Sequence, residues 1–540
     1  MSTAADLDRF LDQRPVDLLA FGEPTHGEPA FVRARDELFK RLVARGFRSI
    51  AVEFDRVAGL AVDDYVHGRG GEAPTGREKN LAEWMRGYNE SRPEGERLSF
   101  HGFDAPLEMM SAASPGPYLR VLRDHLPEHR RPAGTEDLDR LVGDDTRWSD
   151  PRAQLDAARS VGRTADAVAL RTLADDLLTA LYVHAPDAHA ADWHRARVNG
   201  IAALGLLRYH AAAADPAPRY HAAAADPAPG AAADPAPGAV GSAPGAARTS
   251  RMLAVRDALM ARNILDLRSQ ETGRILVAAH NRHLQRNPSR WHLAGMDLEW
   301  PSAGAIVSAV LKDRYAVIVG SLGSSAALGL GPPADGSFEG ALCSRAGHGP
   351  LFTQAPQGTT RTDVTPEQQY FPLDAEIQAD AIWHVDLFPP AAAALADRIQ
   401  ELPGVESQQS GPELGVPDIA WDDWFFFNGK PGKHPFATIV SHDIPGFDDR
   451  SELDRSGVYR LNLDLGRDEF RRLFGYGPEE FKARRDAIDF ARFDEFVPHP
   501  VYGTQSWASI VNPGPRSAEH VDRLLKHAHT RNHGHSRKGA

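Results

Sequence analysis

Residues 18–56 read LLAFGEPTHGEPAFVRARDELFKRLVARGFRSIAVEFDR. The stretch opens on an apolar run, Leu18–Phe21, and breaks into the polar turn Gly22–Gly27. A second apolar run, Ile50–Val52, stops at Glu53. Short continuous apolar runs suit strands buried on both faces. Between them Phe31, Leu38 and Leu42 recur at helical spacing. A strand, a helix and another strand in that order predict an α/β domain with a mostly parallel sheet.

Working outward, the same kind of run returns at Leu98–Phe100, Ile275–Ala278 and Ala316–Val319. From Leu107 to Leu267 helical spacing dominates, most plainly in Ala165–Tyr182 and Arg251–Leu267, which predicts a helical lobe inserted between strands. Within it, residues 208–218 (RYHAAAADPAP) are repeated letter for letter at 219–229. So much Ala, Pro and Gly without a periodic apolar face cannot bury a core, so residues 208–248 are read as a flexible surface insertion without chemistry. His210 and His221 are then letters of the repeat, not ligands.

Composition changes near residue 390, where Pro389-Pro390 leads into an Ala-rich helical segment. Short aromatic-rich runs follow from Ile419. A first domain over residues 1–388 is therefore expected to be followed by a smaller α+β domain over 391–526. A His-rich tail, 527–540, is expected to be disordered.

The net charge of −13 gives no overall attraction to nucleic acid or to an anionic membrane, and neither is expected as a partner. No run approaches the ~20 apolar residues of a spanning helix. The opening MSTAADLDRF lacks a signal-peptide core, so a soluble cytoplasmic protein is expected. Cys343 is the single cysteine, so no intrachain disulfide forms, and it is read as a structural or surface thiol.

In a parallel sheet, ligands bind beyond the carboxyl ends of the strands. The runs end at Glu23 and His26, at Glu53, at Asp104 by way of His101, and at His280-Asn281-Arg282-His283. Two arginines lie on apolar helix faces: Arg35 with Phe31 and Leu38, and Arg256 with Met252, Leu259 and Met260. A buried charge is costly unless paired. Arg35 and Arg256 therefore either form structural ion pairs or line a charged pocket with Glu23, Glu53 and Asp104.

The segment GEPTHGEPAFVRARDELFKRLVARGFRSIAVEFDR resembles the opening of the erythromycin esterase family, a G-E-x-x-H-G turn with an Arg nine residues after the His and then a strand ending in Glu. The resemblance continues through HGFD at 101–104, RDALMARN at 256–263 and AHNRH at 279–283, and covers about residues 15–385. It implies a hydrolase whose catalytic set falls on His26, Glu23, Glu53, Arg35 and His280. Arg256, His283, Asp104 and Asn281 are placed with them as substrate-binding residues. Pro24 stands where many relatives have Ala or Ser.

No serine sits in a G-x-S-x-G elbow, and Ser321 and Ser324 lack that context. Hydrolysis by activated water fits the residue types better. His26 would be the general base, with Glu23 or Glu53 holding its ring. His280, with Arg35 or Arg256, would stabilise the oxyanion. The expected substrate is a small-molecule carboxylic ester or lactone, with the macrolide ring as the family's named case. The family is understood to work without a metal, and no cofactor is expected. Two Glu and three His could nonetheless hold zinc. A haem- or metal-binding protein using the same histidines is the alternative from another class.

The C-terminal segments VPDIAWDDWFFF (416–427), FATIVSHD (436–443), SGVYRLNLDLGRDEF (456–470) and HPVYGTQSWASIVNPG (499–514) resemble an uncharacterised bacterial domain family, distantly like the MmcQ–YjbR-type α+β fold. The run Trp421–Phe427 reads as sheet core or ligand floor. Asp418, Asp422, Asp423, His442, Asp443 and His499 could suggest a metal, but their scatter is weak evidence for one.

Overall fold

The computed structural model describes residues 3–536, except 15, 72, 109–110, 216–244, 326–327, 346–350, 353–356, 386–389, 411–422, 432–433, 455–457 and 515. The first sheet is built from β1 (Leu18–Glu23), β2 (Phe47–Asp55), β3 (Ser99–Asp104), β4 (Arg274–His280), β5 (Tyr315–Leu322), β6 (Leu351–Phe352) and β7 (Ala381–Val385). Their order is β6-β7-β5-β1-β4-β2-β3. Only β6 runs antiparallel to its neighbour. The expected α/β architecture with a mostly parallel sheet is what forms, and each of the five apolar runs is one of its strands.

Alternate residues of β1 explain why the run is continuous. Leu19 and Phe21 join a core with Phe31, Leu38, Phe39 and Leu42 of helix α1 (Pro29–Val43). Leu18 and Ala20 join the core on the other face, with Met260, Ile264 and Leu267 of the helix at Ala246–Gln270. A strand sandwiched in this way has no solvent face on which to place polar residues.

The topology decides where the site lies. The chain enters β4 after the whole helical lobe, yet β4 inserts between β1 and β2. Segments from residues 18, 47 and 274 therefore end side by side, and Glu23 is in register with His280. The β2–β3 register shifts between Val52 and Asp55, so Glu53 sits at a bulge, a device that re-aims a side chain. A Cβ on Gly102 of β3 would lie 2.5 Å from the Phe54 and Asp55 carbonyl oxygens, so the bulge requires glycine there.

Helices α2 (Arg56–Val66) and α3 (Lys79–Glu90) follow β2, and the lobe packs α4 (Gly116–His125), α5 (Ala165–His184) and α6 (Ala190–Ala213) around Leu119, Leu122, Leu170, Leu177 and Leu207. The helix at Ala246–Gln270 is α7. One boundary needs correction. Residues 208–215 were expected to belong to the flexible insertion, but α6 runs on to Ala213, with Tyr209, His210, Ala212 and Ala213 buried. His210 Nε2 lies 2.9 Å from the Ala113 carbonyl, and Asp215 pairs with Arg163 and Arg251. Ala246 and Arg248 are buried in α7 at the other end. The stretch 216–244, His221 included, lies outside the described residues.

The C-terminal region forms a separate antiparallel sheet. Its strands are β8 (Val405–Gln409), β9 (Trp424–Asn428), β10 (Ala437–Val440), β11 (Arg460–Asp464), β12 (Phe496–Pro498) and β13 (Trp507–Val511), in the order β8-β9-β10-β11-β13-β12. One face packs Phe426, Ile439, Leu461 and Ile510 against helices Pro390–Gln400 and Ala518–Ser536. The second of these corrects the expected disordered tail: residues 527–536 are helical, with Ala528 in the core and His529 Nε2 3.0 Å from the Pro403 carbonyl. No helix among the described residues is long and apolar enough to cross a membrane.

Candidate active site

His26 stands on the turn after β1, its side chain 46% exposed. Its Nδ1 lies 2.7 Å from Glu23 Oε1. A carboxylate accepts, so Nδ1 carries the hydrogen and Nε2 of the neutral ring holds the lone pair. Nε2 faces Glu53 Oε1 at 3.8 Å. Burial works against the imidazolium, but the Glu23 hydrogen bond and the Glu53 charge outweigh it, and the His26 pKa is raised above 6.5.

Glu53 is the hub. Its Oε2 accepts the His280 backbone N–H at 2.9 Å, while Oε1 is 3.1 Å from Arg256 Nη2 and 3.4 Å from His283 Nε2. Burial pushes its pKa upward, but His283, His26 and Arg256 override that and hold it far below the usual carboxylate range. Glu53 is thus a fixed negative charge and a poor base. His283 is held from the other side by Asp257, 2.8 Å from its Nδ1. Asp257 also accepts from Trp300 Nε1 and the Ala303 backbone. Burial opposes charging of His283, yet Asp257 and Glu53 raise its pKa.

Arg256 donates to Asp104 from Nη2 at 2.5 Å and from Nε at 3.2 Å, in addition to its contact with Glu53. Its side chain is 27% exposed, and among the described residues its Nη1 makes no hydrogen bond. Asp104 is thereby occupied in aiming the arginine.

Three of the expected site residues are engaged by neighbouring groups of the fold. Arg35 is buried with its guanidinium 2.8 Å from Asp36 and 2.9 Å from Glu78. Its contacts hold the 77–78 segment, whose Arg77 donates to Glu23 at 2.6 Å. His280 has both nitrogens engaged by backbone: Nδ1 accepts from Arg282 N–H, and Nε2 is 3.2 Å from the Pro24 carbonyl. Burial keeps its pKa well below 6.5, so it is a neutral ring that pins the His26 turn. Asn281 was expected to touch substrate, but its amide pairs at both ends with the Gly320 backbone, at 2.8 and 2.9 Å. A Cβ on Gly22 would lie 2.2 Å from Asn281 Oδ1, which accounts for the first glycine of the turn.

Sequence reasoning missed Arg77, Glu78 and Asp257. Arg77 and Glu78 lie in a short helical turn, Gly76–Glu78, without apolar periodicity to mark them. Asp257, fully buried, offered a signal: it stands at helical spacing before Met260 and Ile264, on the buried stripe of its helix.

Between these groups lies a pocket of about 40 Å³ lined by Glu23, His26, Arg35, Glu53, Arg77 and Glu78. That is space for a water, which needs roughly 10–15 Å³ by this measure together with polar partners. Ser321 offers no competing nucleophile: its Oγ is 3.0 Å from His384 Nδ1, but both residues are 0% exposed. Cys343 Sγ lies 3.4 Å from His384 Nε2, consistent with a structural thiol.

Residues 43–228 and 235–386 match the family model described as erythromycin esterase. The chain belongs to the erythromycin esterase family. At family level this makes the first domain an esterase-like hydrolase. Residues 391–540 match the model of a family of unknown function (DUF6194), in line with the second domain read from sequence. No curated protein matches. Three solved structures each cover 71% of this chain. One is a Bacillus cereus protein (13% identity, TM-score 0.49, 92% of that chain). Another is a succinoglycan biosynthesis protein (15%, 0.48, 90%). The third is a mutant of the erythromycin esterase EreC in its open conformation (18%, 0.47, 92%).

In the second domain, Asp418, Asp422 and Trp421 lie outside the described residues. Of the others, His442 Nε2 is 3.6 Å from Asp423 Oδ2, whereas His499 Nδ1 accepts the Val501 and Tyr502 backbone N–H groups. Among the described residues, no group of three His, Cys, Asp or Glu is placed to hold a metal ion.

Proposed function

We propose that the first domain hydrolyses a carboxylic ester or lactone by a water that His26 activates. One arrangement carries the reading: a half-exposed imidazole whose Nδ1 is fixed by Glu23 and whose Nε2 looks across 3.8 Å at a permanently charged Glu53, beside a water-sized pocket. Water attacks the carbonyl carbon as Nε2 takes its proton. Glu23 and Glu53 stabilise the imidazolium. Negative charge grows on the carbonyl oxygen, and Arg256, whose Nη1 is uncommitted among the described residues, supplies the donor that stabilises it. Collapse of the tetrahedral adduct breaks the acyl C–O bond, and the same proton passes from His26 to the leaving alkoxide. The products are a carboxylic acid and an alcohol, or a ring-opened hydroxy acid from a lactone.

The family name makes a macrolide lactone the first substrate to test. Incubation of purified protein with a panel of esters and lactones, macrolides included, should produce a species heavier by one water, seen by mass spectrometry. The same panel with a chelator separates the zinc-dependent alternative, since loss of turnover restored by added zinc would assign the reaction to a metal. A Soret band with no turnover would favour the haem-binding alternative.

A further inference from the structure

A groove of about 630 Å³ opens on the helical lobe where the start of α5, the end of α6 and the flank of α7 meet. Five arginines line it: Arg163, Arg171, Arg208, Arg251 and Arg262. This runs against the charge of the whole chain, −13. Asp215 pairs with Arg163 and Arg251 and so cancels one charge. Among the described residues, Arg171, Arg208 and Arg262 make no ion pair or hydrogen bond, and Asp175 is the carboxylate that acts on Arg208 from a distance. Burial, with Arg262 and Arg171 close by, lowers the Arg208 pKa, and the guanidinium groups repel one another across the groove. Like charges held together without partners destabilise the folded chain unless an anion offsets them.

The floor has different chemistry. Val168, Val255 and Leu259 line it with alanines of α6 and α7. The volume falls within the roughly 300–1,000 Å³ of small-molecule sites. A guanidinium fork fits phosphate oxygens two at a time. We propose that this groove binds an organic phosphate, a small molecule carrying at least two phosphate charges on an apolar or aromatic body. The site is distinct from the candidate active site. Arg256 projects from another face of α7 toward Asp104 and Glu53, whereas Arg251, Val255, Leu259 and Arg262 face the groove. The proposal does not depend on the esterase reading.

The test is calorimetric titration of the full chain with ADP and, separately, inorganic pyrophosphate, at low and at raised salt. ADP should bind in the micromolar range, and pyrophosphate about tenfold more weakly because it leaves the apolar floor uncovered. Added salt should weaken both. The variant Arg171→Gln/Arg208→Gln/Arg262→Gln, which breaks no ion pair among the described residues, should melt like the parent and lose at least about tenfold in ADP affinity. Four results would overturn the proposal. They are no heat from either probe up to about 1 mM, ADP binding unchanged in the triple variant, pyrophosphate binding as tightly as ADP, and a single-stranded oligonucleotide binding through the same arginines more tightly than ADP.

Discussion

Arg77 donates from Nη2 to Glu23 Oε2 at 2.6 Å, while the other oxygen of that carboxylate takes the Nδ1 proton of His26 at 2.7 Å. The carboxylate that fixes the His26 ring is itself held by an arginine from another element, and Arg35 holds that element in turn through Glu78 and the Arg77 carbonyl. The site is a relay of fixed charges leading to one half-exposed imidazole.

The relay predicts opposite shifts in the pH profile. On the proposed mechanism His26 acts as a base when neutral, so kcat/KM should rise with pH through its pKa, which lies above 6.5. Glu23 raises that pKa and Arg77 lowers it. Glu23→Gln should move the rising limb to lower pH, and Arg77→Met to higher pH. Both should reduce the plateau rate. Profiles that fall in height without moving would show that the two residues act on structure alone.

Arg35 and Arg256 should separate on replacement by lysine. Arg35 is enclosed by Asp36 and Glu78, so loss of its fork strands buried charge. Arg35→Ala should cost about 3–5 kcal/mol, and Arg35→Lys should lower the Tm appreciably. Arg256 keeps a partly exposed side chain with an uncommitted Nη1. Arg256→Lys should melt near the parent and lose roughly 10²–10³-fold in kcat. Thermal melts and turnover on the same samples decide it.

Stability should decline on both sides of neutrality. The Glu53 carboxyl is depressed in the fold, so its stabilisation is present above its ordinary value of 4.5 and is lost as pH falls below it. His283 is raised, so its contribution is full below 6.5 and is lost as pH rises through the higher folded value. Melting across pH should show the acid-side decline weakened in Glu53→Gln, whose Tm near neutrality should already be lower because Arg256 and His283 lose their shared partner.

The repeat insertion can be cut, within limits that the sequence alone misplaced. Replacing residues 217–243 by a short Gly/Ser linker should change stability by less than about 1 kcal/mol, because loop closure depends only weakly on length. Deleting 208–248 removes buried Tyr209, His210 and Arg248 and should cost several times more. Comparable melts for the two deletions would contradict the α6 boundary.

Much of the first domain was legible because its physics is local. Five apolar runs became five strands, since a strand buried on both faces needs an unbroken apolar string. Their polar ends at Glu23, Glu53, Asp104 and His280 come together at one edge of the sheet, where the candidate site lies. Roles were harder to read. Nothing local distinguishes an Asn281 that pairs with the Gly320 backbone from one that meets substrate, or a His280 with both nitrogens taken from one with a free N–H. Arg77 and Glu78 were invisible because they reach the site from a turn without periodicity. The 208 boundary was missed because alanine suits a helix as well as a low-complexity repeat.

The central claim is that His26 is the base, and the most direct measurement is turnover of the first ester or lactone found active, compared between the parent and His26→Ala. Both proteins should give the same circular dichroism and closely similar melts, because His26 is half-exposed on a turn. The variant should lose at least about 10²–10⁴-fold in kcat. A folded His26→Ala protein that hydrolyses the substrate at the parent rate would contradict the account.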